Sequence, residues 1–303
     1  MWRFPAMAVV VAAICLFGVL IVLYPSTASW FSALSQAQQV RQYGHDVHVI
    51  GPVGRLKALE EAHAYNNALV SGAAVEAGQR LPTATGSQLP AGFNYNDLLR
   101  ANAYGLMGRI TIPSINVDLP IYHGTSDQVL AQGVGHLEGS SLPVGGPGTH
   151  AVLAGHRGLA SATLFTNLNK VTLGDTFTLY IFGETLTYRV ISIKVVDPNQ
   201  TRELDPVPGK DLVTLVTCTP IGINSQRILV TGERVTPTPI RAIAEMSSAP
   251  RGPGFPWWAL FLVVAFCAVA IYVYVAGRGK GQAHSTTPHK RIPQHRRGVL
   301  IEE

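Results

Sequence analysis

Two long runs without a charged residue lie near the two ends of the chain. They are MAVVVAAICLFGVLIVLY, residues 7–24, and WWALFLVVAFCAVAIYVYVA, residues 257–276. Each run has about the length that a helix needs to cross a hydrocarbon core of roughly 30 Å. Trp2, Tyr24 and Trp257 stand at the edges of the runs, where aromatic side chains anchor a helix at the membrane interface. The pattern predicts two transmembrane helices that flank the rest of the chain.

Between these runs, the pattern is first helical and then strand-like. Residues 29–79 are rich in Ala, Gln, Leu and Glu, which favour helices, and we expect breaks near Gly44 and Gly51. Residues 79–94 are rich in Pro, Gly and Thr, which indicates a loop. Residues 25–106 are therefore predicted to form a helical stalk that ends in a loop.

From Met107 onward, short runs of apolar and β-branched residues alternate with turn residues. The runs are GRITIPSINVDLPIY, GTHAVLAGH, DTFTLYIF, TLTYRVISIKVV, DLVTLVTC and RILVTGERV. Gly183-Glu184 indicates a hairpin, and a brief helical stretch is expected near residues 164–168. Short strands over about 130 residues are typical of a closed β-barrel. The predicted fold class is mainly β: a closed barrel over residues 107–236 with short helices, preceded by the stalk and flanked by the two spans.

The basic residues predict how the chain crosses the membrane. Arg3 precedes the first run, and the tail at residues 277–303 is basic. Because positively charged flanks stay in the cytoplasm, we expect residues 1–6 and the tail there and the barrel outside the cell. Residues 237–256 are expected to link the barrel to the second span. The net charge of +5 is then a topology signal, and nucleic-acid binding is not predicted.

The first run has an alternative interpretation as a cleaved signal peptide. The small residues STAS that follow Pro25 resemble a cleavage site. Only one basic residue, Arg3, precedes the run, which favours an uncleaved anchor.

One of the three cysteines stands apart from the other two. Cys15 and Cys267 lie in the predicted spans, whereas Cys218 is the only cysteine of the predicted external part, which therefore has no internal disulfide to form. A free reactive thiol, an intermolecular disulfide and an inert buried residue remain as interpretations. Cys218 ends the strand DLVTLVTC just before Pro220, which cannot extend a hydrogen-bonded ladder. Arg227 begins the next strand and lies within reach if the two strands are adjacent.

A nucleophilic cysteine needs a proton partner, and the histidines are the candidates. The external histidines are His45, His48, His63, His123, His136, His150 and His156. The first three fall in the predicted stalk and are set aside. His156, in AGHRG, ends an apolar strand as Cys218 does, which favours it. The gaps of 13, 14 and 6 residues between the last four match no common zinc spacing, and no metal or cofactor is predicted.

Three ordered motifs resemble those of the sortase family. TLVTCTPIGINSQRILVTGER resembles the active-site strand pair of sortases, and AGHRG resembles their histidine segment. GRITIPSINVDLPIYHGT and GVGHLEGSSLPVGGPGTHAVLAGHRG are most similar to class C, the pilin-polymerising sortases. The resemblance covers residues 95–235 and extends to the second membrane span. It implies that Cys218 is the nucleophile, His156 the proton partner and Arg227 the third catalytic residue.

The resemblance also implies a reaction. Cys218 would cleave an LPxTG-like sorting signal between Thr and Gly, and a lysine of another pilin subunit would take up the acyl group. The implied partners are the membrane and pilins or other surface proteins that carry such signals. Three alternatives remain: a sortase that attaches proteins to peptidoglycan, a thiol hydrolase, and a non-enzymatic assembly scaffold. A wall-anchored substrate is not predicted, because SSAPRGPGFPWW before the second span contains no LPxTG motif.

The role of Arg227 follows from general acid–base chemistry. An isolated cysteine–histidine pair is mostly neutral, because the ordinary pKa values of thiol and imidazole differ by about two units, or roughly 2.7 kcal/mol. A nearby arginine lowers both pKa values and so does not clearly favour the ion pair. We therefore expect Arg227 to bind the substrate carbonyl oxygen, on which negative charge develops.

The segment before the barrel departs from the class C pattern. Class C sortases usually carry a lid with an Asp-Pro-aromatic motif, and no such triplet precedes Met107. A lid-like loop would fall near residues 72–93. LPTATG, residues 81–86, resembles an LPxTG signal with one residue too many. It is either a pseudo-substrate plug or, as we favour, a loop rich in Pro, Thr and Gly.

Overall fold

The computed structural model describes residues 4–75 and 92–278. The LPTATG segment, most of the expected lid-like loop and the tail beyond Arg278 lie outside the described residues. The chain divides into two units, residues 22–260, which contain the barrel, and residues 1–21 with 261–303, which contain most of the apolar runs.

Helix α1, Ala6–Val75, carries the first apolar run and continues far beyond it. The expected break near Gly44 is wrong, because the helix passes through this residue without a kink. The expected break at Gly51 is confirmed, since Gly51 has φ 73° and ψ 172°. The difference follows from Pro52, because a residue before proline is disfavoured in the helical region and glycine alone adopts this conformation easily. A lone interior glycine such as Gly44 costs only about 1 kcal/mol.

Two helices among the described residues are long and apolar enough to cross a membrane. They are the helix that begins at Ala6 and helix α4, Trp257–Gly277. Large apolar side chains such as Phe17 and Phe266 are exposed on them. Such surfaces suit a lipid environment and fit membrane anchoring.

Eight strands in the described part of the chain close a barrel, so the predicted mainly-β barrel is confirmed. The order around the barrel is β1-β2-β3-β4-β7-β8-β6-β5. The pairs β2/β3 and β4/β7 are parallel, and the others are antiparallel. The strands are β1 Leu106–Ile112, β2 Val117–His123, β3 Val134–His136, β4 Thr149–Ala154, β5 Thr176–Ile181, β6 Glu184–Val196, β7 Asp211–Thr219 and β8 Gln226–Arg234.

The short connections differ in detail from the sequence prediction. The predicted hairpin is present, but its two turn residues are Phe182 and Gly183, both with positive φ as a type I′ turn requires. The helical stretch expected at residues 164–168 is instead a 3₁₀ helix at Leu168–Lys170. Helix α2, Asp127–Gln132, was not predicted. Ser126 caps its N-terminus. Further 3₁₀ helices are Tyr95–Asp97, Pro113–Ile115 and Thr201–Leu204.

The described helical part of the predicted stalk packs on the barrel. The Asn66 side chain donates to the Leu142 carbonyl at 3.0 Å and accepts from the Leu142 N–H at 2.7 Å. The Tyr43 hydroxyl donates to the Met107 carbonyl at 2.9 Å and accepts from the Phe182 N–H at 2.8 Å. These buried polar pairs, with apolar neighbours in the core cluster, fix α1 against the barrel wall.

The segment after the barrel, predicted as a linker, contains helix α3, Ile240–Ser247. Arg109 of β1 makes a two-pronged ion pair with Asp118 at 2.7 and 2.8 Å. Its third nitrogen, Nη1, donates to the carbonyls of Met246 and Ser248 at 3.0 and 3.1 Å. The guanidinium is buried, so these bonds tie the end of α3 firmly to the barrel.

Candidate active site

His156, Cys218 and Arg227 follow from three neighbouring strands of the barrel. In the parallel pair β4/β7, Ala154 lies opposite Val216, and His156 and Cys218 stand two residues further on. In the antiparallel pair β7/β8, Cys218 lies directly opposite Arg227. Neighbouring strands are about 4.8 Å apart, so the three residues form one row across the barrel rim. The structure brings all three predicted residues together.

The row lies on the outer face of the barrel. Along β7, Val213 and Leu215 are fully buried in the core, so Thr214, Val216 and Cys218 point outward. Along β8, Ile228 and Val230 belong to the core, so Arg227 and Leu229 share the outer face. Cys218, His156 and Arg227 are each half-buried, which leaves them accessible to a substrate.

The backbone around His156 is held by three hydrogen bonds. The Gly155 N–H donates to the Val216 carbonyl at 3.0 Å, and the Thr217 hydroxyl donates to the Gly155 carbonyl at 2.7 Å. The Phe165 N–H donates to the His156 carbonyl at 3.0 Å. Gly155 is required here, because a Cβ atom would lie 2.6 Å from the Phe165 ring. The histidine is therefore presented by a fixed backbone.

The guanidinium of Arg227 is anchored at one end. Its Nη1 donates to the carbonyls of Asn224 and Gln226 at 2.8 and 3.0 Å. Asn224 belongs to the turn between β7 and β8, in which Gly222 and Asn224 have positive φ, and Gln226 begins β8. The Nε and Nη2 groups make no hydrogen bond to the described residues. These two donors remain for a substrate oxygen.

Apolar side chains lie next to the row of His156, Cys218 and Arg227 on the outer face of the barrel. Ala154 and Val216 are half-buried side by side, and Leu229 lies opposite Val216 on the next strand. One step further, Val152 and Thr214 are almost completely covered. Leu229 is itself buried, so the accessible apolar surface next to Cys218 consists of the side chains of Ala154 and Val216. These residues were not among the candidates predicted from the sequence, although the alternation that points Cys218 outward also points Val216 outward.

The ring nitrogens of the other three barrel histidines have structural partners. His123 lies between the carbonyls of Gly105 and Leu98, at 2.8 and 2.6 Å. His150 lies between the Asp205 carbonyl at 2.9 Å and the Thr214 hydroxyl at 2.7 Å, and burial lowers the pKa of His150. No group of three or more His, Cys, Asp or Glu that could hold a metal ion occurs in the part of the chain that the structure describes.

His136 is fully buried in a hydrogen-bonded cluster. Its Nε2 faces the Ser141 carbonyl at 2.8 Å, which only accepts, so the proton is on Nε2. The Tyr95 hydroxyl then donates to Nδ1 at 2.9 Å. Burial is the main reason why the pKa of His136 falls to about 4. The ring therefore stays neutral in the folded protein at pH values where an exposed histidine becomes charged.

Acid should destabilise the fold through His136. In the unfolded chain its pKa is about 6.5, so below that pH the unfolded state binds a proton that the folded state excludes until about pH 4. The free energy of unfolding should fall by about 2 kcal/mol between pH 7 and pH 5 from this residue, and His150 acts in the same direction. Urea titrations at the two pH values measure the loss.

The variant His136→Gln should show a smaller loss of stability between pH 7 and pH 5 than the unmodified protein. His45→Gln is the matched control, because His45 is exposed on α1 and should leave the loss unchanged. An equal pH dependence in His136→Gln and the unmodified protein would contradict this assignment.

Comparison with known proteins gives a consistent picture. The family model of the sortase domain matches residues 110–235. Sortase D of Bacillus subtilis (strain 168) is 33 % identical over 132 residues, which cover 43 % of this chain and 64 % of that protein. The chain spans between 47 and 64 % of the length of the first three curated relatives that it matches.

Solved structures cover more of the chain. Sortase C-1 from Actinomyces oris is 50 % identical with a TM-score of 0.53, and the match covers 60 % of this chain and 98 % of that one. Sortase C of Streptococcus pneumoniae, whose substrates are described as pilins, is 34 % identical with a TM-score of 0.58. That match covers 67 % of this chain and 100 % of the other.

Proposed function

Because this chain belongs to the sortase family, whose members are cysteine transpeptidases, and resembles class C sortases in structure, we propose that it is a membrane-anchored transpeptidase that polymerises pilins. The observation that carries this proposal is the row of His156, Cys218 and Arg227 on three adjacent strands of the barrel. A thiol, an imidazole and a guanidinium side by side are the groups that acyl transfer through a thioester needs.

In the first step, Cys218 attacks the sorting signal. The thiol gives its proton to His156, and the thiolate sulfur bonds to the carbonyl carbon of the threonine. The bond from this carbon to the glycine nitrogen breaks, and the leaving amine takes the proton from His156. Arg227 donates hydrogen bonds to the carbonyl oxygen while it carries negative charge. The product is a thioester between the threonine and Cys218.

In the second step, a lysine amine of another pilin subunit attacks the thioester. The nitrogen bonds to the carbonyl carbon, the carbon–sulfur bond breaks, and His156 takes the proton that the amine loses and returns it to the Cys218 sulfur. An isopeptide bond results, and Cys218 is free again. The partly exposed apolar side chains of Ala154 and Val216, beside Cys218, suit contact with the leucine and proline side chains of an LPxTG-like signal.

The two apolar helices support a location at the cell membrane. In this proposal both termini lie in the cytoplasm and the barrel lies outside the cell, where its substrates are displayed. The free Cys218 fits this arrangement, since its role is to react rather than to form a structural disulfide.

The choice of amine tests the proposal. The full-length protein in detergent micelles is given an LPxTG peptide together with a lysine-bearing pilin domain, a peptidoglycan stem peptide, or no amine. Mass spectrometry should find an isopeptide bond to the pilin lysine. Ligation only to the stem peptide would assign the chain to wall attachment, and free acid as the sole product would indicate a hydrolase. Absence of cleavage under all three conditions would overturn the proposal.

A further inference from the structure

We propose that Arg157 is a positioning residue that fixes His156 relative to Cys218, an inference that rests on the proposed function. Arg157 directly follows His156 in the chain and is half-buried. Its Nη1 donates to the Thr219 hydroxyl at 2.8 Å, and Thr219 directly follows Cys218. The guanidinium thus joins the two segments that carry the reacting side chains.

Side-chain hydrogen bonds join the His156 segment to the Cys218 segment both before and after the two reacting residues. Before the pair, the Thr217 hydroxyl donates to the Gly155 carbonyl at 2.7 Å. After the pair, Arg157 donates to Thr219. Cys218 lies between the two threonines, and His156 lies between Gly155 and Arg157. The pairing of β4 with β7 ends at Ala154 and Val216, so these two side-chain bonds continue the connection to the rim.

Arg157 also connects the segments of His156 and Cys218 to a third segment, which contains Thr166. Its Nε donates to the Thr166 carbonyl at 3.2 Å, and the Thr166 hydroxyl accepts from the Gly158 N–H at 3.1 Å. Because the guanidinium is a rigid planar fork, the two bonds of Arg157 fix both the distance and the angle between the segments. A lysine in its place has a single nitrogen and cannot reproduce both bonds in this geometry.

The imidazole of His156 depends on this support. Its ring makes no hydrogen bond to a described residue, so no carboxylate or carbonyl orients it within the structure as described. The position of the ring is then set by the backbone of residues 155–158. Misplacement of a catalytic group by about 1 Å can cost on the order of 100-fold in rate. Loss of the Arg157–Thr219 bond should therefore lower kcat and leave substrate binding nearly unchanged.

The kinetic test compares variants of both bonded residues in the full-length protein with an LPxTG peptide. Arg157→Met and Thr219→Val should each lower kcat by roughly 10- to 100-fold, with KM within about twofold of the unmodified value. Thr219→Ser keeps the hydroxyl and should retain near-normal kcat. The double variant Arg157→Met/Thr219→Val should be no slower than Arg157→Met alone, because Thr219→Val removes only a bond that Arg157→Met has already removed. Arg241→Met, an exposed arginine on α3, is the control.

A second measurement needs no substrate and separates this inference from the proposed function. Hydrogen exchange of the backbone around His156, read by mass spectrometry, should speed up in Arg157→Met and Thr219→Val but not in Thr219→Ser. Unchanged exchange in all variants overturns the inference, whether or not the protein cleaves the peptide. Cleavage at the normal kcat by Arg157→Met overturns it as well, and so does a rise in KM at constant kcat, which would make Arg157 a substrate-binding residue.

Discussion

Replacement of Cys218 with alanine should abolish cleavage of an LPxTG peptide, with a loss of at least about 10⁴-fold in kcat. The thiol lies in the middle of the row, with His156 on one side and Arg227 on the other. Alanine keeps the backbone and the outward direction of the side chain but removes the atom that forms the thioester. Its neighbours Thr217 and Thr219 cannot take over, because both hydroxyls are used in hydrogen bonds to the histidine segment.

The other two cysteines provide matched controls for this experiment. Cys15 and Cys267 lie on the apolar helices, and Cys15→Ala and Cys267→Ala should retain normal kcat. The intact mass of the protein mixed with the peptide should show an acyl adduct on Cys218 and on no other residue. Pilin ladders should disappear in cells that carry only Cys218→Ala. Ladders that persist in this strain would favour a non-enzymatic scaffold.

The substitution Arg227→Lys should lower kcat by about 10²- to 10³-fold although it keeps the positive charge. Arg227 uses Nη1 to bind the carbonyls of Asn224 and Gln226, which leaves Nε and Nη2 for the substrate oxygen. A lysine ammonium is one compact group and cannot hold the turn and donate to the oxygen in the same way. The loss should appear in kcat more than in KM, since negative charge develops on the oxygen only as the transition state and the tetrahedral intermediate form.

Alkylation of Cys218 separates the two roles that Arg227 could have. If the arginine acts by binding the oxygen, the rate of alkylation by iodoacetamide should fall much less than kcat in both Arg227→Lys and Arg227→Met. A parallel loss of alkylation and kcat in Arg227→Met would instead assign the arginine to thiol ionisation. Arg189→Lys, an exposed position on β6, is the control. Normal kcat in Arg227→Lys would contradict the oxygen-binding role, because the lysine keeps only the positive charge.

The barrel and the placement of Cys218 at the end of a strand could be predicted because their signals are local. The alternation of Thr214, Val216 and Cys218 against Val213 and Leu215 matches the observed outer and inner faces of β7. The end of the strand near Pro220 is also observed. The prediction that Arg227 lies near Cys218 depended on adjacent strands, and the register of β7 and β8 meets that condition.

The docking of the flanking segments could not be predicted, because it depends on contacts between residues far apart in the chain. In the sequence, Asn66 of α1 is one polar residue of a helix, and its hydrogen bonds to Leu142 are visible only in the structure. The segment after the barrel has the composition of a linker, and only the structure shows that Arg109 binds its carbonyls at Met246 and Ser248. Nothing in the spacing of these residues along the sequence indicates their partners. Likewise, Gly155 and Arg157 flank His156 in the sequence, but their hydrogen-bond partners, Val216 and Thr219, are recognisable only in three dimensions.

The parallel pairing of β4 with β7 has a consequence for how this protein can change during evolution. The positions of His156 and Cys218 are set by the register of two strands and not by the chain that runs from one to the other. That intervening chain forms the β5–β6 hairpin and the loop that leads into β7. Insertions or deletions in the loop should therefore leave the spacing of His156 and Cys218 unchanged. The loop and the row of His156, Cys218 and Arg227 can vary independently of each other in this architecture.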